Sequence, residues 1–314
     1  MQPNKSGHLL VDDRPRDTGG HHIYWAEYGN PDSSNVWLIL HGGYGHTFDM
    51  AKMTAFTGQR DIRIIDFHQR GLGYSTPCGE YRYNTVRDNI DDIVRLKEHL
   101  DIQKWGLFSW SLGAFFMAAH AYENPSACAA LISYAPTFGT EDDYQVAEHK
   151  APEQAGLHKD FHNAATGADI ARSTYDKATT GDFWTRFEMY YQAMAIWQPD
   201  LAREDLYKSK TQQEWENFFQ AYRIGAQIEY ALINRYQDFL QNKASHNNLK
   251  APVTLIFGDK DNWSDFNTTM DKILPESRIV RAADVDHDVH DPKAQRVIAR
   301  QLQRNTPYRP FPSI

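Results

Sequence analysis

The serine at position 111 lies in a stretch that fits an enzymatic nucleophile. Residues 109–113 read Ser-Trp-Ser-Leu-Gly and lie between a short apolar run and a helical pattern. A serine on a tight turn between a strand and a helix needs small residues two positions before and two positions after it, and Ser109 and Gly113 supply them. The turn would also aim the backbone N–H of Leu112 at an oxyanion. We therefore predict Ser111 as the nucleophile, in preference to Ser109, which has a large leucine two positions before it.

A nucleophilic serine needs a base that takes its proton and an acid that orients the base. The apolar run Val-Thr-Leu-Ile-Phe ends in Gly-Asp-Lys-Asp, and we predict the second of these acids, Asp261, because Asp259 lies in the immediate turn. His287 follows the next apolar run, in a loop rich in Asp and His, and is the predicted base, with His290 as the alternative. The same loop allows a metal-site interpretation. No further ligands stand out in the sequence, so we expect no metal.

A glycine-rich stretch follows the first strong apolar run, at residues 36–40. It reads His-Gly-Gly-Tyr-Gly over residues 41–45, and its glycines allow backbone amides to approach a reacting carbonyl group. We predict that Gly43 provides the second donor of an oxyanion hole beside Leu112, with Tyr44 as the second choice. The alternative interpretation is a glycine turn required for steric reasons only.

The elements that would hold these residues alternate between strands and helices. This alternation predicts a mostly parallel sheet with helices on both faces. Strands are predicted at residues 36–40, 62–67, 105–108, 131–135, 253–257 and 278–280. Helices are predicted from residue 84 or 85 to 100, from 112 to 123 and from about 292 to 304.

The pattern changes between residues 136 and 245. This segment has no convincing strand and is dense in Trp, Tyr and Phe. We predict a core domain made of residues 1–135 and 246–314, interrupted by a helical cap at 136–245. A cap over the active site would place some of its aromatic side chains in the pocket. The alternative is that these side chains only fill a small helical layer.

The composition of the 314 residues limits the class of protein. The net charge of −8 argues against a nucleic-acid-binding surface, which needs clustered Lys and Arg. Two cysteines, Cys78 and Cys128, cannot build a disulfide framework or a tetrahedral metal site. There is no apolar run of about 20 residues for a membrane helix and no secretory signal, so a cytoplasmic protein is expected. The glycines at 42–45 lack the dinucleotide fingerprint, and no cofactor is expected.

Four stretches together resemble the proline iminopeptidase (prolyl aminopeptidase) family of α/β-hydrolases. They are residues 23–31, 41–45, 68–77 and 106–113. The first is similar to the family's early hairpin, and the second to its HGGPG with Tyr44 in place of proline. The third is similar to its DQRGxGxSTP with His68 in place of Asp, and the fourth aligns without gaps to its GVFGGSWG. The resemblance implies the α/β-hydrolase fold with a helical cap and places the family's nucleophile at Ser111.

In this family, acidic side chains of the cap hold the free amino group of the substrate. Glu229, in an Ile-Glu-Tyr stretch, matches one of them, so the resemblance implies that it binds the amine. At the other position Gln198 follows Trp197, so an amide replaces the acid and its charge. Trp110 precedes the serine, where the family's Trp follows it. We expect Trp110 to line the substrate site together with Tyr44.

These features predict a serine hydrolase of the prolyl aminopeptidase class, acting on a small molecule or a short peptide. It would release an N-terminal proline or a similar small residue through an acyl-enzyme. The alternative is an esterase, lactonase or amidase for a small uncharged acyl substrate, because Gln198 removes a charge. A non-enzymatic binding module is a third hypothesis, and the apparent triad argues against it. A dehalogenase or epoxide hydrolase of this fold would have Asp in place of Ser111.

Overall fold

A computed structural model of the chain describes the sheet, the helices that cover it and part of the segment between residues 136 and 245. The described residues are 1–80, 82–136, 182–184, 186–188, 191, 202–216, 218–219, 249–261, 274 and 276–305. Among them, no helix has the length and apolar composition needed to cross a bilayer.

The described residues form an eight-stranded sheet in the order β1-β2-β4-β3-β5-β6-β7-β8. Its strands are β1 (Lys5–Asp12), β2 (His21–Gly29), β3 (Val36–Leu40), β4 (Arg63–Phe67), β5 (Trp105–Trp110), β6 (Cys128–Tyr134), β7 (Val253–Gly258) and β8 (Arg278–Ala282). Strand β2 pairs antiparallel with β1 and β4, and every pair from β4 to β8 is parallel. The carboxyl ends of β3 to β8 therefore meet at one edge, where loops can bring distant side chains together.

Helices cover both faces of this sheet. The helices whose bounds are complete are α1 (Thr54–Thr57), α2 (Val86–His99), α3 (Gly113–Glu123), α4 (Arg203–Lys208) and α5 (Pro292–Arg304). Helices α2 and α3 pack on one face, and α1 and α5 pack on the other. Strand β3 is buried on both faces. Leu38 packs in the core that α2 and α3 cover, and Ile39 packs in the core that α1 and α5 cover. A strand buried on both sides is apolar at every position, which is why residues 36–40 read as a continuous run.

The predicted mostly parallel sheet with helices on both faces is confirmed. Helix α2 begins after Thr85, whose side chain and that of Asp88 form a reciprocal capping box. Helix α5 begins after Asp291, which accepts hydrogen bonds from the backbone of Lys293 and Ala294. The periodicity predicted neither β1 nor β2, and only the family resemblance indicated an early hairpin. In β1, Lys5–Asp12 lies at the sheet edge and has one buried residue.

The described part of the segment between residues 136 and 245 contains helical turns with an aromatic cluster of their own. Phe187, Trp215 and Phe219 are buried against one another there. These three side chains fill a small helical layer. This agrees with the alternative given above, in which the aromatic residues of the segment serve for packing. Most of the segment lies outside the described residues, so its limits as a cap remain a prediction.

Candidate active site

Ser111 occupies a strained turn between β5 and α3. Its backbone φ is 52°, in the left-handed region that non-glycine residues rarely adopt. Its N–H donates to Tyr134 O at 3.1 Å, so the adjacent strand β6 holds the turn. A Cβ on Gly113 would lie 2.5 Å from Leu40 O, so this position has no room for a side chain. The small residue two positions after the serine is therefore required by the close approach of β3.

Ser111, His287 and Asp261 lie in one hydrogen-bonded series. Ser111 Oγ is 3.0 Å from His287 Nε2. His287 Nδ1 is 3.0 Å from Asp261 Oδ2. Asp261 follows β7 and His287 follows β8, and both side chains are buried. With the Nδ1 proton donated to the carboxylate, Nε2 can accept the serine proton.

The alternative residues have other partners. Ser109 is fully buried and its Oγ donates to Ser133 Oγ at 2.8 Å. Asp259 accepts the backbone N–H of Asp284 at 2.7 Å, so it caps the turn. His290 Nε2 accepts the backbone N–H of Asp49 at 3.1 Å, and its Nδ1 faces Asp288. Within the described residues, no three His, Cys, Asp or Glu side chains are grouped to hold a metal ion.

The glycine-rich loop after β3 lies against the serine turn. Residues Gly43–Gly45 form a single 3-10 turn that contains Tyr44, whose side chain lies outside the described part of the structure. A Cβ on Gly42 would lie 3.1 Å from the Trp110 ring and 3.4 Å from Ser111 Cβ. The loop backbone at Gly42 is thus packed directly against Trp110 and Ser111. Leu112 precedes α3, so its N–H belongs to the first turn of that helix.

His41 fixes this loop, a role that the sequence pattern did not predict. Its Nε2 accepts the backbone N–H of Gln69 at 3.2 Å, so the ring proton is on Nδ1, which donates to Gly42 O at 2.8 Å. Burial lowers the pKa of His41 to about 4, so the ring is neutral near pH 7. A histidine directly after a buried strand was the only sequence signal for this role.

Trp110 lies beside His287 as well as beside the nucleophile. Its indole N–H donates to His287 O at 2.9 Å, and the two rings are 6.1 Å apart. His46 approaches the opposite side, with ring centroids 6.2 Å from Trp110 and 5.7 Å from Phe218. Burial lowers the pKa of His46 to about 4, so its imidazole is neutral near pH 7, and the Lys210 amine lies 5.7 Å from the Phe218 ring.

His68, which stands where the resembled motif has Asp, has a buried acid nearby on β4. Its Nδ1 accepts the backbone N–H of Tyr74 at 2.9 Å, and its Nε2 is 3.8 Å from Asp66 Oδ2. Burial raises the pKa of Asp66 to about 7 and lowers the pKa of His68 to about 3.

The two predicted amine-binding positions, Glu229 and Gln198, lie outside the described residues. The structure therefore brings Ser111, His287, Asp261, Trp110 and the glycine-rich loop to one edge of the sheet, and it gives no position for these two side chains.

Comparison with known proteins places the chain in a family. Residues 35–294 match the family model of the alpha/beta hydrolase fold. The proline iminopeptidase of Xanthomonas citri is 39% identical over 127 residues, which are 40% of this chain and 38% of that protein. The proline iminopeptidase of Arabidopsis thaliana is 35% identical over 132 residues, which are 42% of this chain and 33% of that protein. The matched part thus spans less than half of these curated relatives.

Solved structures share the fold over nearly the whole chain. Proline iminopeptidase from Mycobacterium smegmatis has a TM-score of 0.65 at 17% identity and covers 96% of this chain and 99% of its own. A haloalkane dehalogenase variant from Bradyrhizobium elkanii has a TM-score of 0.60 at 15% identity, over 96% of this chain and 97% of its own. Such low identities show the fold alone. The resemblance to proline iminopeptidases is confirmed by the curated relatives, and the chain belongs to the α/β-hydrolase fold family.

Proposed function

We propose that the protein is a serine hydrolase that releases an N-terminal proline, or a similar small residue, from short peptides. The observation that carries this proposal is the 3.0 Å approach of His287 Nε2 to Ser111 Oγ, with Asp261 at 3.0 Å behind the imidazole. This geometry is within the reach that proton transfer from a serine requires.

In the proposed reaction, Ser111 Oγ attacks the carbonyl carbon of the scissile bond while His287 takes the hydroxyl proton. The backbone N–H groups of Leu112 and Gly43 stabilise the negative oxygen of the tetrahedral intermediate. His287 then gives the proton to the leaving amine, which breaks the amide bond and leaves an ester on Ser111. Water activated by His287 hydrolyses that ester, and Asp261 stabilises the imidazolium in both halves of the reaction.

Similarity to curated proline iminopeptidases supports the choice of substrate. In this proposal, Glu229 of the cap binds the free amino group, and Gln198 keeps a polar contact without the charge of an acid. The cap comprises residues 136–245 and covers a core domain of residues 1–135 and 246–314.

An esterase, lactonase or amidase is the second candidate, and a specific observation favours it. Trp110, beside the nucleophile, contacts Phe48 and a neutral His46, and neither of these binds an ammonium group by charge. His46 in turn contacts Phe218, where the Lys210 amine would repel an ammonium group. An apolar uncharged acyl group suits such surroundings.

Aminoacyl amides with a chromogenic leaving group separate the two candidates. We expect turnover of the proline amide, weaker turnover of the alanine amide and none with the acetylated proline amide. Ser111→Ala should abolish turnover, whereas Ser109→Ala provides the matched control that retains it. Cleavage of p-nitrophenyl esters without any aminoacyl amide cleavage would favour the esterase, and no turnover of either class would contradict both candidates.

A further inference from the structure

Three consecutive backbone carbonyls in the His287 loop each accept a hydrogen bond from a different neighbouring segment. Val285 O accepts from the N–H of Lys260 at 3.0 Å. Asp286 O accepts from the hydroxyl of Tyr134 at 2.5 Å. His287 O accepts from the indole N–H of Trp110 at 2.9 Å. The loop that carries the imidazole is thus held at every residue from 285 to 287.

The two side-chain donors also hold the nucleophile. Trp110 is the last residue of β5, Tyr134 is the last residue of β6, and the two are register partners in the parallel sheet. Ser111 follows Trp110 directly, and its N–H donates to Tyr134 O at 3.1 Å. One pair of neighbouring residues therefore contacts both the backbone of the serine and the backbone of the histidine loop.

We propose that Trp110 and Tyr134 are positioning residues that set the distance between His287 Nε2 and Ser111 Oγ. This inference rests on the proposed serine mechanism and goes beyond it. It assigns control of the distance between His287 Nε2 and Ser111 Oγ to two side chains that take no part in the bond changes. It also gives Trp110 a role other than the substrate contact that the sequence suggested.

Proton transfer is sensitive to small displacements, which is why a backbone anchor can control the rate. A misplacement of about 1 Å at a reacting group can lower the rate by about 100-fold. The Tyr134 hydroxyl is suited to a permanent anchor, because burial raises its pKa well above the ordinary value and keeps it a donor. The indole N–H of Trp110 is a donor at every pH.

The remaining contact, at Val285 O, lies where β7 has a glycine, Gly258, and therefore no side chain. A Cβ there would lie 2.2 Å from Val285 O. The end of β7 and the His287 loop are therefore packed backbone to backbone at Val285. The carbonyl groups of the next two residues, Asp286 and His287, are hydrogen-bonded by side-chain donors instead. Tyr134→Phe removes only the hydroxyl donor, and Trp110→Phe removes the indole N–H while it keeps one aromatic ring at the position.

The test measures p-nitrophenyl acetate hydrolysis and the rate of labelling by a fluorophosphonate probe in the full chain. We expect kcat and the labelling rate to fall about 5-fold in Trp110→Phe and in Tyr134→Phe, with KM unchanged. The double variant should lose about 100-fold, more than the product of the single losses, because either donor partly holds the loop while the other is absent.

Trp37→Phe is the matched control for stability. It removes an indole N–H that donates to Asn35 Oδ1 at 2.9 Å near the amino end of β3, far along the strand from the serine turn. Its Tm should fall at least as much as that of Trp110→Phe, while its kcat stays at the wild-type value. If kcat fell equally in Trp37→Phe and in Trp110→Phe, general destabilisation would explain the loss in both variants. That result would overturn the inference.

Two further outcomes contradict positioning without affecting the proposed function. One is a raised KM at unchanged kcat in Trp110→Phe, which would assign the ring to substrate binding. The other is wild-type labelling in the double variant. By contrast, a wild-type protein that the probe does not label at Ser111 would remove the proposed serine mechanism itself, so the two failures are distinguishable.

Discussion

Arg70 and Asp92 form a two-point ion pair in the interior of the protein. Arg70 Nε donates to Asp92 Oδ2 at 2.8 Å, and Nη2 donates to Oδ1 at 2.6 Å. Both side chains are buried. The pair joins the loop after β4 to helix α2, so the arginine of the Gln-Arg-Gly stretch at residues 69–71 has a structural explanation. The arginine holds the loop that in turn contacts His41.

Removing one partner of this pair should destabilise the fold. Asp92→Asn removes the nearest counter-charge of the buried guanidinium and leaves it only the carboxylates of Asp12 and Asp88, at 3.6 and 3.9 Å. We expect the free energy of unfolding to fall by about 3 kcal/mol. Urea unfolding measures the loss. Asp91→Asn on the same helix is the matched control, because Asp91 pairs with Arg87 at the surface and should change stability by less than about 1 kcal/mol. Equal losses in the two variants would contradict a special role for the buried pair.

The close approach of β3 to the serine turn predicts the effect of a single methyl group. In Gly113→Ala, the new Cβ would meet Leu40 O at 2.5 Å and His41 O at 2.7 Å. We expect the free energy of unfolding to fall by about 2 kcal/mol and hydrolysis to fall with it, because the turn must shift away from β3. Gly7→Ala on β1 has only ordinary contacts, the nearest at 3.6 Å, and should keep wild-type stability and activity. Gly113→Ala with wild-type activity would show that the turn has more room than this packing allows.

Asp66 predicts a pH dependence of stability with a definite sign. Burial raises the pKa of its carboxyl from 3.8 in the unfolded chain to about 7 in the fold. Below pH 4 both states are protonated and the group has no effect. As the pH rises from about 4 to 7 the unfolded state ionises first, so stability falls and then stays low above pH 7.

Asp66→Asn removes this penalty, because an amide has no proton to lose. The free energy of unfolding of the variant minus that of the wild type should be larger at pH 8 than at pH 4, by at most about 4 kcal/mol. Chemical unfolding at both pH values measures the gain, and Asp32→Asn on the exposed surface controls for a general effect of charge. An identical difference from wild type at pH 4 and pH 8 would contradict the raised pKa.

The parts of the site that the sequence predicted are those with a local signal. The run at residues 36–40 is apolar at every position because β3 is buried on both faces, and the pattern around Ser111 reflects the steric demand of one turn. Asp261 and His287 were predictable because each follows a strand and the parallel order brings the strand ends to one edge.

Contacts that depend on the register between strands have no local sequence pattern that predicts them. The bond from Trp110 to His287 O joins residues 177 positions apart, and nothing near either residue specifies it. The same holds for Tyr134 and Asp286 O, which are 152 positions apart. His41 was missed because its partner, Gln69, lies on the loop of another strand. Strand β1 was missed because an exposed edge strand needs no apolar run.

The most direct test of the central claim is the site and rate of fluorophosphonate labelling, followed by peptide mapping. We predict one label per chain, on Ser111, with labelling abolished in Ser111→Ala and slowed by about 1,000-fold in His287→Ala. Ser109→Ala should label at the wild-type rate, because its hydroxyl is buried against Ser133. A label on another residue, or wild-type labelling of Ser111→Ala, would contradict the account.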